Sequence, residues 1–345
     1  MQNNEYIAWV DVFKGFAIIF MVFGHSWSPI SIEIYLFHMA AFIFLSGYTC
    51  SVSKYSFSRY LLNKAKQLLI PFFMVNVFFI ALYWIAKKLN FLSLIYADTT
   101  LNIETLLRNL VQLGYTSDLG GATWFLLMIF ITQMLYATLF KLMPWKKIVP
   151  YVALLFGIYG YVLTQTHPNL FYNFDLGVFA LLFFATGVIF RQNDLLNNLF
   201  EPRSMFIICI IIIFIIFNKQ DFWINWPTRT FGHFYIMFIC SVAGIYLLYR
   251  LSSFFAQSSM TYAALKYIGQ RTLPVMCFHF FAFKLIFIGM ALCRFVDADY
   301  MKNFVPPSSP YLAWLGYSAG SISICLAISH FAKANKYLNV IVNGK

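Results

Sequence analysis

Long apolar runs recur along nearly the whole chain, and that repetition leaves few folds open. Ten stretches are apolar enough, and most are near enough to twenty residues, to cross a bilayer as helices: about 7–27, 34–52, 68–87, 122–142, 148–165, 174–190, 204–217, 231–249, 268–291 and 311–331. The run at 204–217 is short but almost purely Ile and Phe. The runs at 148–165 and 174–190 carry the weakest signal. Charged side chains make up 10% of the 345 residues, against roughly 25% in soluble domains. So few charges cannot cover a water-facing surface. The expected fold is an all-α integral membrane protein of about ten transmembrane helices. It forms a single membrane-embedded domain over residues 1–345, with no soluble domain. The lipid bilayer is an expected partner. Soluble nucleic-acid binders and secreted disulfide scaffolds are excluded, and no nucleic acid is expected.

The net charge of +12 reflects topology. Lys54, Arg59, Lys64, Lys66, Lys141, Lys146, Lys147, Lys333 and Lys336 fall on one side of the alternating spans. Glu33, Glu104, Asp118, Asp175 and Asp297 fall on the other. Because Lys and Arg accumulate in cytoplasmic loops, both termini are expected in the cytoplasm. The first run includes Asp11 and Lys14 and lacks the positive leading segment of a signal peptide, so it reads as a retained helix. The stretch from Leu101 to Leu113 is mildly amphipathic within the longest polar connection. The six cysteines show no CxxC spacing and read as core residues. No His, Glu or Asp cluster has metal-ligand spacing, so no metal is expected.

Ionisable residues inside spans are costly and point to function. Asp11 and Lys14 are three apart and can pair on one helix face. Lys14 and His25 are eleven apart, which is three turns plus about 20°, so they share a face about 16 Å apart along the axis. His38 stands near the same end of the second span, level with His25. Further along that span, Ser46 and Gly47 allow a close approach of another helix or a ligand. The loop from Lys54 to Lys66 holds four cations and no acid. It reads both as a positive-inside signal and as an anion site for cofactor phosphates. Gly120 and Gly121 give the fourth span an irregular entrance ahead of Trp124. In the ninth span Arg271, His279 and Lys284 accompany Pro274, which is expected to break the helix and line a cavity. His167, His233 and His330 look interfacial and receive no role.

Five of these segments, in order, resemble the membrane acyltransferase-3 family. The segment Trp9–Gly15 followed by His25 resembles its opening signature, a basic residue eleven before a His. Phe37–Tyr48 is similar to its second-helix motif, especially in the branch related to fucose and polysaccharide O-acetylases. Leu69–Phe72, Trp124–Leu126 and Ile268 through His279 match further landmarks. The resemblance covers about residues 7–285. It departs at Gln67, where a basic residue is common, and at Arg271, where a small or polar one is more usual.

The resemblance implies a multi-pass O-acetyltransferase of the bacterial cytoplasmic membrane. Acetyl-CoA would be the donor, and a hydroxyl of a cell-surface polysaccharide or lipid-linked sugar the acceptor. His25 is then the catalytic residue, with Lys14 as its basic partner and Asp11 pairing with Lys14. Lys64, Lys66 and Arg59 would hold the CoA phosphates. His38, Ser46, Trp124, His279 and Arg271 would contact substrate. An imidazole suits proton removal from a sugar hydroxyl near neutral pH. Direct transfer and a covalent acetyl-His25 are both open on the residues alone. The alternative class is a transporter or flippase for an anionic or glycan cargo.

Overall fold

The structure is a computed structural model of the chain. It describes residues 7–92, 102–112, 118–168, 170–193, 203–217, 224–257, 259–297, 301 and 312–344. The described helices, in order, are α1 (Ala8–Gly24), α2 (Ser31–Tyr35), α3 (His38–Tyr48), α4 (Phe57–Lys64), α5 (Ile70–Lys88), α6 (Ile103–Gln112), α7 (Trp124–Leu142), α8 (Val149–Thr166), α9 (Phe174–Gln192), α10 (Arg203–Phe217), α11 (Phe234–Phe255), α12 (Ser259–Gly269), α13 (Thr272–Leu292), α14 (Ala313–Ala332) and α15 (Lys336–Asn343). A π-helical turn, Ala65–Leu69, joins α4 to α5. Among the described residues the β-type pairing is one isolated bridge, Asn225 with Thr230. The protein is all-α and integral to the membrane. Among the described residues eight helical segments are long and apolar enough to span. Of the other expected spans, the first is the 17-residue α1 and the seventh the 15-residue α10.

Local chemistry explains four helix starts. Ser56 caps α4 by accepting from the Arg59 amide. Asn335 caps α15 by accepting from the amides of Tyr337 and Leu338. Pro71 and Pro150 occupy first-turn positions of α5 and α8, where no intrahelical N–H is needed. The amphipathic stretch from Leu101 to Leu113 forms α6.

Two expectations about breaks are corrected. The second span is not one helix from residue 34: it divides into α2 and α3 at Leu36–Phe37. The ninth span does not carry a proline break at mid-helix. It divides earlier, between α12 and α13, and Pro274 lies in the first turn of α13. A proline there removes no helical hydrogen bond, so the chain bends at Gln270–Arg271 rather than at the proline. His279 consequently lies in the first half of α13, not midway along a continuous span.

The run at 174–190, expected to be among the weakest, is more apolar than five of the other seven spanning segments and is the most enclosed. In α9, 78% of the apolar window is buried, against 33–50% for the other spans. It is gripped on two sides by backbone contacts. A Cβ on Gly47 of α3 would fall 1.9 Å from the Phe184 carbonyl oxygen of α9. One on Gly187 of α9 would fall 2.0 Å from the Phe44 carbonyl oxygen of α3. On the other side, Gly157 and Gly160 of α8 lie against the backbone of Leu182 and Phe179. The close approach expected at Ser46–Gly47 is thus a helix crossing.

Among the described residues two large apolar clusters fill the interior, and a third, small one gathers Cys209, Ala243 and Tyr246 between α10 and α11. One of the large clusters gathers Phe13, Phe44, Phe179, Phe183, Phe184 and Trp226. The other gathers Met21, Phe72, Phe79, Tyr83, Phe283 and Phe287. Helices α1 and α7 contribute to both large clusters, and the cavity described next draws its wall from each.

Candidate active site

A cavity of about 620 Å³ opens among α1, α3, α7 and α13. At the end nearest the Lys54–Lys66 cations, hereafter the basic end, its wall includes Gln67, Leu68, Thr272 and Leu273. At the opposite end it includes Asp118, Gly121 and the turn Asn225–Thr228. His25, Tyr35, His38, Ser46, Trp124 and Gln133 lie along it.

His25 occupies the position just beyond the last turn of α1, where its amide bonds the carbonyls of Met21 and Val22. Its ring is half-buried, and Nδ1 is 3.1 Å from the Tyr35 hydroxyl. The Tyr35 ring packs edge-on to His38, centroids 5.0 Å apart. On the other side the His279 ring lies 5.2 Å away, and the Phe280 ring 4.9 Å away. His38 and His279 are fully committed on one edge. His38 Nδ1–H donates to the Ile34 carbonyl at 2.8 Å, and His279 Nδ1–H to the Met276 carbonyl at 2.9 Å. A carbonyl only accepts, so both neutral rings keep the lone pair on Nε2. The His279 Nε2 is buried without a hydrogen-bond partner among the described residues. If His25 Nδ1–H donates to the Tyr35 oxygen, its Nε2 likewise carries the lone pair a base needs.

Three serines tie this end together. Ser318 of α14 bonds Ser26 at 2.8 Å, Ser321 donates to the His279 carbonyl, and Ser26 donates to the Phe23 carbonyl. Asn76 of α5 and Thr123, just before α7, bond one another at 3.0 Å, fixing the entrance to α7 beside Trp124.

The turn at the end opposite the cations is locked by a buried ion pair. Arg229 donates twice to the Asp175 carboxylate, at 2.9 and 3.1 Å, and also to Asn173 and to the Pro227 carbonyl. Trp226 stacks on Phe179 with centroids 4.8 Å apart, so Asn225, Pro227 and Thr228 are presented to the cavity.

The remaining expected site residues lie elsewhere. Asp11 and Lys14 pair at 3.4 Å, and Gln270 also donates to Asp11 at 2.9 Å. This pair sits where α12 crosses α1, with Gly269 against the Asp11 carbonyl. Lys14 is not part of the cavity wall. Lys64 lies over the Tyr60 ring and within electrostatic reach of Lys14. Arg59 stands exposed over Tyr55, and Lys66 faces a shallow groove with Leu62, Ile70 and Phe73. Arg271 lies flat on Tyr267, 3.6 Å from its centroid, away from the cavity wall. The structure therefore brings together His25, His38, Ser46 and Trp124, places His279 against His25, and leaves the cations as a separate group.

Sequence reasoning missed Tyr35, Gln133, Arg191 and the Arg229–Asp175 pair. Arg191 donates to the carbonyls of Tyr48 and Cys50 at the end of α3, close to Lys64. Gln133 carried a usable signal, an amide inside an apolar run. Among the described residues no group of His, Cys, Asp and Glu is arranged to hold a metal.

A helical, membrane-spanning body with a His-lined cavity between a cationic end and an aromatic turn defines the class. The sequence matches the family described as an acyltransferase domain, Acyl_transf_3, over residues 7–330, and the chain belongs to that acyltransferase-3 family. It is 29% identical over 223 residues to nodulation protein NolL of Sinorhizobium fredii (strain NBRC 101917 / NGR234), covering 59% of this chain. The chain spans about half, 54%, of the length of that curated relative. No solved structure matches it.

Proposed function

We propose that the protein is a membrane O-acetyltransferase. It moves an acetyl group from acetyl-CoA to a hydroxyl of a cell-surface polysaccharide or a lipid-linked glycan precursor, in the cytoplasmic membrane of a bacterium. The observation that carries this reading is the placing of His25 in the wall of a cavity whose ends differ in character. One end adjoins cations suited to CoA phosphates. The other carries the Asn225–Thr228 turn and Trp124, which suit a sugar. Family membership favours acyl transfer over transport.

In this scheme Lys64, with Arg59, Lys66 and Arg191 nearby, attracts the phosphates at the basic end. The pantetheine arm runs past Gln67 and Leu68 and delivers the thioester to His25. The His25 Nε2 removes the proton from the acceptor hydroxyl as its oxygen attacks the thioester carbonyl. The C–S bond breaks, and the imidazolium returns the proton to the thiolate. Tyr35 holds the ring through Nδ1, and His38 and His279 pack on either side of that pair. Lys14 stays with Asp11 and adds positive charge at the basic end.

The test is His25→Ala in a strain lacking the native protein. O-acetyl groups on the surface glycan should disappear while the protein remains abundant and monodisperse. Turnover near the wild-type rate would remove His25 from its role. CoA should also raise the melting temperature of the purified protein, which the transport reading does not expect.

A further inference from the structure

We propose that Gln133 receives the arm of the acyl donor, its side-chain carbonyl accepting a hydrogen bond from the distal amide N–H of the pantetheine chain. The inference rests on the acyl-CoA reading above. Gln133 lies in the middle of α7 and is 5% exposed. Its Nε2 donates to Ser46 Oγ at 2.8 Å, which fixes the plane of the carboxamide. Its Oε1 is buried with no hydrogen-bond partner among the described residues. Both residues line the cavity, together with Phe42, Phe125 and Ile129. A buried carbonyl oxygen among such side chains is costly unless an occupant brings it a donor.

The depth selects the donor. Ser46 is eight residues beyond His38 on α3, about 12 Å nearer the basic end. His38 adjoins the Tyr35 that holds His25. A thioester held at His25 with its chain running toward the basic end carries its second amide nitrogen about 9 Å from the sulfur, close to the level of Gln133. The first amide nitrogen, about 4 Å from the sulfur, falls short of it. Apart from histidines, Asp118 is the charged residue of the described wall, and it lies toward the other end. The wall beside Gln133 is therefore neutral, which suits an uncharged amide chain and not a phosphate.

The experiment measures dissociation constants of the full chain in nanodiscs for CoA, pantetheine and N-acetylcysteamine. The last keeps the near amide and lacks the distal one. Wild type should favour pantetheine over N-acetylcysteamine. Gln133→Met, similar in volume, should weaken CoA and pantetheine about tenfold and leave N-acetylcysteamine within about twofold, so the preference collapses. Ser46→Ala keeps the glutamine but frees its amide. It should move the same ratio by a smaller factor, and it stands in if Gln133→Met does not fold. An unchanged ratio in both variants, with CoA still bound, overturns the assignment and gives Gln133 to the acceptor or to packing. Failure of wild type to bind CoA at all overturns the acyl-CoA reading, and this assignment with it.

Discussion

The hydroxyl of Tyr35 lies 3.1 Å from Nδ1 of His25, although the two side chains come from different helical segments. The chain reverses between them, from the end of α1 into the short α2, and the backbone of Trp27 takes a positive φ of 54° to make the turn. Tyr35 is therefore a positioning residue for His25. Tyr35→Phe keeps the ring contacts with His25 and His38 and removes only the hydroxyl. We expect kcat to fall about tenfold, with little change in KM for acetyl-CoA and an unchanged melting temperature. A loss of stability without a change in kcat would give Tyr35 a packing role only.

The pair of Arg229 and Asp175 holds the aromatic turn. Both side chains are buried, 7% and 0% exposed, and meet through two hydrogen bonds. Removing one partner leaves a buried charge, which costs about 3–5 kcal/mol. Arg229→Ala and Asp175→Ala should each lower the melting temperature markedly. Arg229→Lys, which cannot bond in a fork, should recover only part of the loss.

The crossing of α3 and α9 tolerates no side chain at Gly47. A methyl there would overlap the Phe184 carbonyl, so Gly47→Ala should destabilise the protein by about 1–3 kcal/mol or more, read as a lower melting temperature in detergent. Gly316 has no atom of the described residues within 4 Å of its Cβ position, and Gly316→Ala should leave the melting temperature within about a degree or raise it.

The cations at the basic end should matter for donor binding rather than for chemistry. Lys64→Ala and Arg191→Ala are each expected to raise KM for acetyl-CoA several-fold, with kcat less affected. The KM of the wild type should rise with ionic strength more steeply than that of either variant. Equal KM values at all salt concentrations would detach this group from the donor.

Much of the bundle was legible because apolar length is a local property. All ten expected runs coincide with described helices, including the short α10. What sequence could not give was depth and partnership. The run at 174–190, expected to be among the weakest, forms α9, which is more apolar than most of the spanning segments and the most enclosed of them, through glycine contacts that join distant parts of the chain. The pairing of Asp175 with Arg229 was not legible, because it joins residues 54 apart, one in the first turn of α9 and the other in a turn before α11. Gln133 stands out in an apolar run only as an uncharged amide, and its bond to Ser46 joins residues 87 apart. Pro274 misled because a proline's effect depends on the turn in which it falls. His25, His38, Ser46 and Trp124 were readable as candidates from motif spacing. Their convergence on one cavity, and the absence of Lys14 and Arg271 from its wall, were not.

Phe184 and Phe44 meet glycines across the α3–α9 crossing, and the glycines of α8 close the other side, so α9 is wedged carbonyl against Cα along much of its length. Sliding it by even a fraction of a turn would collide main chain with main chain. Helix α9 gives no residue to the described cavity wall, so this clamp lies one layer behind it and fixes the backbone of α3, whose His38, Met39, Phe42 and Ser46 do line the cavity.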